Sequence, residues 1–247
     1  MRLLTFSRRT TREILRDPMN LGFGLGFPLV LLLLMTMIQK SIAAGAALEL
    51  FTLDKLTPGM SVFGMSFLTL FSATLLSKDR SGAFLQRLYT TPMTSLDYIL
   101  GYTLPLLPMA LGQALILYGA AVLLGLELTI GVLWCVLLSV PVSLFFVALG
   151  LLLGTILNDK QVGGICGAAL TTLTVWLSGT FFDLDAIGGS FRAVAYALPF
   201  VHGVELEKAV LAGQWSSAVP QLLWVLAYGL VTTVLAVWVF TWKKRNN

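Results

Sequence analysis

Few residues of this chain have types and spacings that suggest chemistry. His202 and Glu205 lie three apart, which puts an imidazole and a carboxylate on one face of a helix, where they would serve as metal ligands or as an acid and base. His202 is the single histidine among 247 residues, and a metal centre needs three or four such ligands, so the spacing argues for no metal. Glu205 also precedes Lys208 by three residues, and the two can pair on a wet helix face. Cys135 and Cys166 fall inside apolar runs and read as packing residues rather than as a disulfide or thiolate site. No G-x-x-x-x-G-K-[ST] loop, H-E-x-x-H helix, G-x-S-x-G elbow or clustered carboxylate pair occurs. The chain therefore has no recognisable means of binding ATP or cleaving a bond, which also disfavours an intramembrane enzyme.

The elements that must position these residues are membrane helices. The composition is 57% hydrophobic and 11% charged, with a mean hydropathy of +0.88, against about 25% charged in ordinary soluble chains. Apolar runs of about 20 residues fit helices and exclude the short alternating strands of a barrel. The expectation is an all-α polytopic membrane protein with one domain over 1–247. It comprises an interfacial amphipathic helix at 1–20, transmembrane helices at 21–38, 57–77, 98–126, 128–157, 161–182 and 219–242, a polar loop at 78–97 and an external re-entrant helical hairpin at 183–218. A cleaved signal peptide is set against this by the length of the first run and the spans that follow it. Gly22 with Gly26, and Gly150 with Gly154, are four apart and suit close helix approach. Gln113 is the strongly polar side chain of the third span, and the hydroxyls of Thr171 and Thr174 can bond within the fifth. Glu205, an ionisable group at membrane depth, is a functional candidate by default. With the N-terminus inside, twelve of the sixteen Lys and Arg fall on the cytoplasmic side, so both termini are expected there. The same spread of basic residues over loops and termini, with no single basic face, argues against nucleic acid.

The most unusual stretch is the polar island Lys78 to Tyr102. Phe84, Leu85 and Leu88 form one apolar stripe, with Arg80 and Arg87 two turns apart on another side, which predicts a short amphipathic helix. Pro92 limits it, and Thr94 with Asp97 can cap the helix that follows. Such a helix suits a headgroup surface or a partner groove, and the pattern alone leaves both open.

Four segments, in this order, carry a resemblance: Arg16-Asp17-Pro18 at the end of the basic N-terminal helix, Leu56-Thr57-Pro58-Gly59, Leu88-Tyr89-Thr90-Thr91-Pro92 with Ile99-Leu100-Gly101, and Leu177-Ser178-Gly179-Thr180-Phe181-Phe182 followed by Leu198-Pro199. Over nearly its whole length the chain resembles the membrane-spanning permease of an ABC-2-type transporter, a family of bacterial multidrug, antibiotic and glycolipid exporters. The resemblance implies a permease in the bacterial cytoplasmic membrane that forms the pathway for a hydrophobic or amphipathic substrate. A separate ATPase subunit would hold ATP and magnesium, with no cofactor on this chain, and Asp79, Arg80, Phe84, Leu85, Arg87, Leu88 and Pro92 would couple to it. A second permease chain, identical or related, would complete the pathway within membrane lipid, with Gln113, Thr171, Thr174, His202 and Glu205 as pathway or hairpin candidates. Lys78-Asp79-Arg80-Ser81-Gly82-Ala83-Phe84 departs from the acidic lead and Gly-Thr that family members often carry there. The alternative is an immunity or sensory subunit without transport of its own.

Overall fold

Apolar runs set the helices, and the helix that is apolar all round takes the centre. In the computed structural model, which describes residues 2–42, 51–82 and 94–246, that helix is α4 (Leu53–Ser81). Its most apolar window is 89% buried, against 22% for Gly22–Ser41 and 22% for Trp215–Arg245. The described residues form helices, turns and bends, with no strand among them. α5 (Ser95–Leu124) and α6 (Ile130–Ile156) pack on α4, and α12 (Trp215–Asn246) packs on the far side of α6.

The α4–α6 contact rests on the absence of side chains. A Cβ at Gly150 would lie 2.3 Å from the Thr69 carbonyl oxygen, and one at Gly154 would lie 2.6 Å from that of Ala73. With nothing there, the backbones approach closely enough for Thr69 Oγ1 to donate to the Phe146 carbonyl at 2.9 Å and Ser72 Oγ to that of Val147 at 3.2 Å. The Thr69 bond satisfies a hydroxyl that hydrocarbon could not, while Ser72 Oγ shares its proton with the Leu68 carbonyl of its own helix at 2.7 Å.

α1 (Arg2–Leu15) is the expected amphipathic helix, with Phe6, Thr10 and Ile14 buried at i, i+4 and i+8. Phe6 sits edge-on to Tyr102 at 4.9 Å and to Tyr98 at 6.1 Å on α5. The first membrane run follows as α2 (Pro18–Leu21), a π-helical stretch Gly22–Gly26, and α3 (Phe27–Ser41). Here the expected Gly22 and Gly26 contact is not made among the described residues: a Cβ at either would meet none of them within 4 Å, while one at Gly24 would lie 2.6 Å from the Phe71 ring. The wider π turn shifts which residues face the bundle.

Among the described residues, five helices are long and apolar enough to cross a membrane: Gly22–Ser41, Leu53–Ser81, Ser95–Leu124, Ile130–Ile156 and Trp215–Arg245. The fifth expected span, 161–182, is a composite of α7 (Asp159–Val162), a π-helical stretch Gly163–Leu170, and α8 (Thr171–Leu177). It runs the length of α4, from Asp159, which accepts from Ser81, to Thr180, which lies against Gly59. It ends at Leu177 rather than at 182, because the chain turns at Gly179 with φ of +69°. The expected span 57–77 gains a turn at each end, taking in Asp54, Lys55, Asp79 and Arg80. The ends of the expected 98–126, 128–157 and 219–242 also shift by one to four residues. Hydropathy marks the apolar slab, whereas a helix continues past it until its last carbonyls find other partners.

The stretch 183–218, expected as a re-entrant hairpin, holds α9 (Leu184–Ile187), α10 (Gly189–Tyr196), α11 (Pro199–Leu211) and the start of α12. Phe200 of α11 lies 6.1 Å from both Phe145 and Phe146, which buries this helix among α4, α6 and α12.

Candidate functional site

The two ends of the bundle differ in chemistry, and the more organised one gathers α1, the last turn of α4, the first turn of α5, the last turn of α6, and the end of α12. α4 leaves the bundle through Asp79-Arg80-Ser81, and each of the three side chains is tied to a different element. Asp79 is 5% exposed. It receives two bonds from the Arg9 guanidinium, at 2.7 and 2.8 Å, and one from the Tyr102 hydroxyl at 2.7 Å. This forked pairing is the strong geometry for an arginine and a carboxylate. Arg9 also lies 3.1 Å from Glu13. The bond to Asp79 holds the Arg9 proton more tightly than usual. Burial raises the Glu13 carboxyl above its ordinary range, and the Arg9 charge partly offsets this.

Arg80 turns the other way and donates to the carbonyls of Thr155 and Leu157, the open C-terminal end of α6. Lys243 of α12 donates to the same Thr155 carbonyl at 2.8 Å. Two cations thus satisfy carbonyls that a helix end leaves unpaired. Ser81 Oγ donates to Asp159 at 3.0 Å, and Lys244 stands 5.2 Å from the Tyr98 ring centre. Arg80, expected on a short helix beside Arg87, therefore belongs to α4 and faces its interior neighbours.

The chain is described again from Thr94, where the expected cap is present. Thr94 N and Oγ1 lie 2.8 and 2.7 Å from Asp97 Oδ2, and Asp97 N donates back to Thr94 Oγ1 at 3.2 Å. Phe84, Leu85, Arg87, Leu88 and Pro92 lie outside the described residues. The described residues before them are held by the Asp79, Arg80 and Ser81 contacts, and those after them by the Thr94–Asp97 cap. Among the described residues no nucleophile stands beside a base here; the contacts of Asp79, Arg80 and Ser81 tie the end of α4 to α1, α5, α6 and α7.

At the opposite end, a cavity of about 860 Å³ is lined by residues that include Lys40, Asp54, Lys55, Glu127, Glu205 and Lys208. Glu205 pairs with Lys208 at 3.1 Å. His202 is buried and does not itself line the cavity, with Nδ1 2.5 Å from the amide oxygen of Gln221, which does, Nε2 3.0 Å from the Tyr196 carbonyl, and its ring stacked on Trp224 at 5.1 Å. His202 and Glu205 thus do not converge, and among the described residues no cluster of three or more His, Cys, Asp or Glu could hold a metal. Thr171 and Thr174 donate within their own helix, to Gly167 at 2.5 Å and Leu170 at 2.9 Å. Gln113 is 2% exposed, neither of its amide atoms has a partner, and it occupies the space a side chain at Gly64 would fill.

Sequence reasoning did not single out Arg9, Tyr102 or Glu207. For Arg9 the available signal was an arginine-rich tail and the acid Asp79 among the basic residues that open the island. For Glu207, which is fully buried, no local signal separates it from Glu205.

The model of a family described as ABC-2 type transporter matches residues 1–215. No protein of curated description matches the chain.

Proposed function

The chain belongs to the ABC-2 type transporter family and is the membrane component of such a transporter, and from this premise we propose that it is an exporter permease driven through the segment between Ser81 and Thr94. A separate ATPase subunit docks on that segment, with Phe84, Leu85 and Leu88 entering its groove and Arg87 beside them, at the cytoplasmic face. ATP and magnesium sit on that subunit. Asp79 and Arg80 do not touch the partner in this reading. They pass its motion inward, Asp79 to α1 and α5, and Arg80 to α6 and the end of α12.

The observation that carries the proposal is the double rooting of this segment: three consecutive side chains fasten its start to α1, α5, α6 and α7, and a capping box fixes its end. A loop meant only to lie on headgroups has no need of such a frame. Gln113, unpaired in the core, and Glu205, at the rim of the opposite cavity, are the pathway side chains offered to a hydrophobic or amphipathic substrate. A second permease chain completes the pathway.

The test is the Phe84→Asp variant, and separately Arg87→Glu, in the complex purified from its own membrane. Each variant inserts normally and loses stimulation of the partner's ATP hydrolysis. Unchanged stimulation in both, or a chain that carries no ATPase with it, would overturn the reading and favour a sensory subunit.

A further inference from the structure

Glu205 and Glu207 are two residues apart on α11 and so lie on opposite sides of the helix. Glu205 faces the cavity and Lys208, whereas Glu207 is 0% exposed. Its Oε2 lies 2.6 Å from the Tyr118 hydroxyl of α5, its Oε1 lies 3.1 Å from Ser61 Oγ of α4, and its backbone carbonyl accepts from the Cys135 thiol of α6 at 3.3 Å. One residue therefore joins the hairpin to three separate helices, through its carboxyl to α5 and α4 and through its backbone carbonyl to α6.

Among the described residues no cation reaches it. Of the elements packed on α11, α4 presents the Ser61 hydroxyl, and its charged Asp54 and Lys55 line the cavity instead. α6 presents the Cys135 thiol, and α5 the Tyr118 hydroxyl. α12 presents the neutral Gln221, which is taken by His202, and α8 (Thr171–Leu177) carries no charged residue. On α10, Arg192 pairs with Asp185 and covers the Tyr196 ring. On α11 itself, Lys208 pairs with Glu205. Two hydroxyls do not repay the loss of hydration of an isolated carboxylate, so the group keeps its proton while this packing holds. Ser61 Oγ can then accept from the acid, and Tyr118 donates to the other oxygen.

We infer that Glu207, with Ser61 and Tyr118, forms a proton-binding site that is filled while the hairpin is closed on α4, α5 and α6 and empties to water when the hairpin opens. The closed state binds one more proton than the open or unfolded state over the pH range between their two titrations. Its stability is therefore full at acid pH and falls as pH rises through that range. The site does not depend on which substrate is carried or on the ATPase.

The experiment follows the apparent melting temperature of the full chain in lipid nanodiscs from pH 5.5 to 9, for the native protein and for Glu207→Gln, which keeps the shape without the charge. The advantage of Glu207→Gln over the native chain should grow with pH by roughly 3 °C or more. A difference that stays constant across the range would overturn the proposal. Should the variant fail to insert, the infrared band of a protonated carboxylic acid in the native chain decides. At neutral pH, where exposed carboxyls are ionised, the band is present if Glu207 holds its proton, and its absence would reject the site.

Discussion

Replacing Arg9 with alanine strips the Asp79 carboxylate, 5% exposed, of both bonds from a cation and leaves it the Tyr102 hydroxyl. Breaking a fully buried ion pair in this one-sided way costs about 3–5 kcal/mol. Arg9 is 37% exposed, so water screens its end of the pair, and the cost falls to about 2 kcal/mol. Asp79→Asn should cost less, about 1 kcal/mol, because the released guanidinium can turn to Glu13 and to solvent. Loss of the carboxylate alone is therefore milder than loss of the cation. For a chain of this size roughly 2–4 °C accompanies each kcal/mol, so Arg9→Ala lowers the apparent melting temperature by about 4–8 °C. The assay is thermal unfolding of both single variants and the double variant in lipid nanodiscs, read as a double-mutant cycle. The double variant should lose much less than the sum of the singles. A coupling within about 0.5 kcal/mol of zero would refute the pairing, and so would a larger loss for Asp79→Asn than for Arg9→Ala.

Two further substitutions probe the core. Gly150→Val puts branched carbons where the Thr69 carbonyl already stands within 2.3 Å of a Cβ; the clash is with backbone, so folded yield in mild detergent should collapse, and a normal gel-filtration peak would contradict the α4–α6 packing. Gln113→Leu removes two buried polar atoms that have no partner and should raise the melting temperature, since each orphaned group costs about 1–3 kcal/mol. A lowered melting temperature would mean the amide is paired in the folded chain, and substrate flux in vesicles would then show whether the native amide serves the pathway.

Much of the fold was legible in the residues because hydrocarbon imposes a local rule. A helix satisfies its own backbone, so each apolar run announces a helix whatever its neighbours do. The capping box at Thr94 and Asp97 was readable for the same reason, since both partners lie within one turn. Helix ends were less legible: Asp54 and Arg80 looked like loop residues by charge, yet α4 continues through both, and at its C-terminal end Asp79, Arg80 and Ser81 find polar partners on other elements.

The sequence by itself determined that this is an all-helical membrane chain, with an amphipathic N-terminal helix and a polar island between its second and third spans, because these follow from hydropathy, periodicity and charge along the chain. Only the tertiary structure decided which charges meet. Arg9 and Asp79 are 70 residues apart, and no periodicity links positions on separate helices. Glu205 and Glu207 are the same residue type on one short helix, and the half-turn between them matters only once α4, α5 and α6 cover one side. The covered carboxyl loses its water while the other keeps it, and that difference in solvation, which no local pattern encodes, is what separates an ordinary surface pair from a candidate proton site.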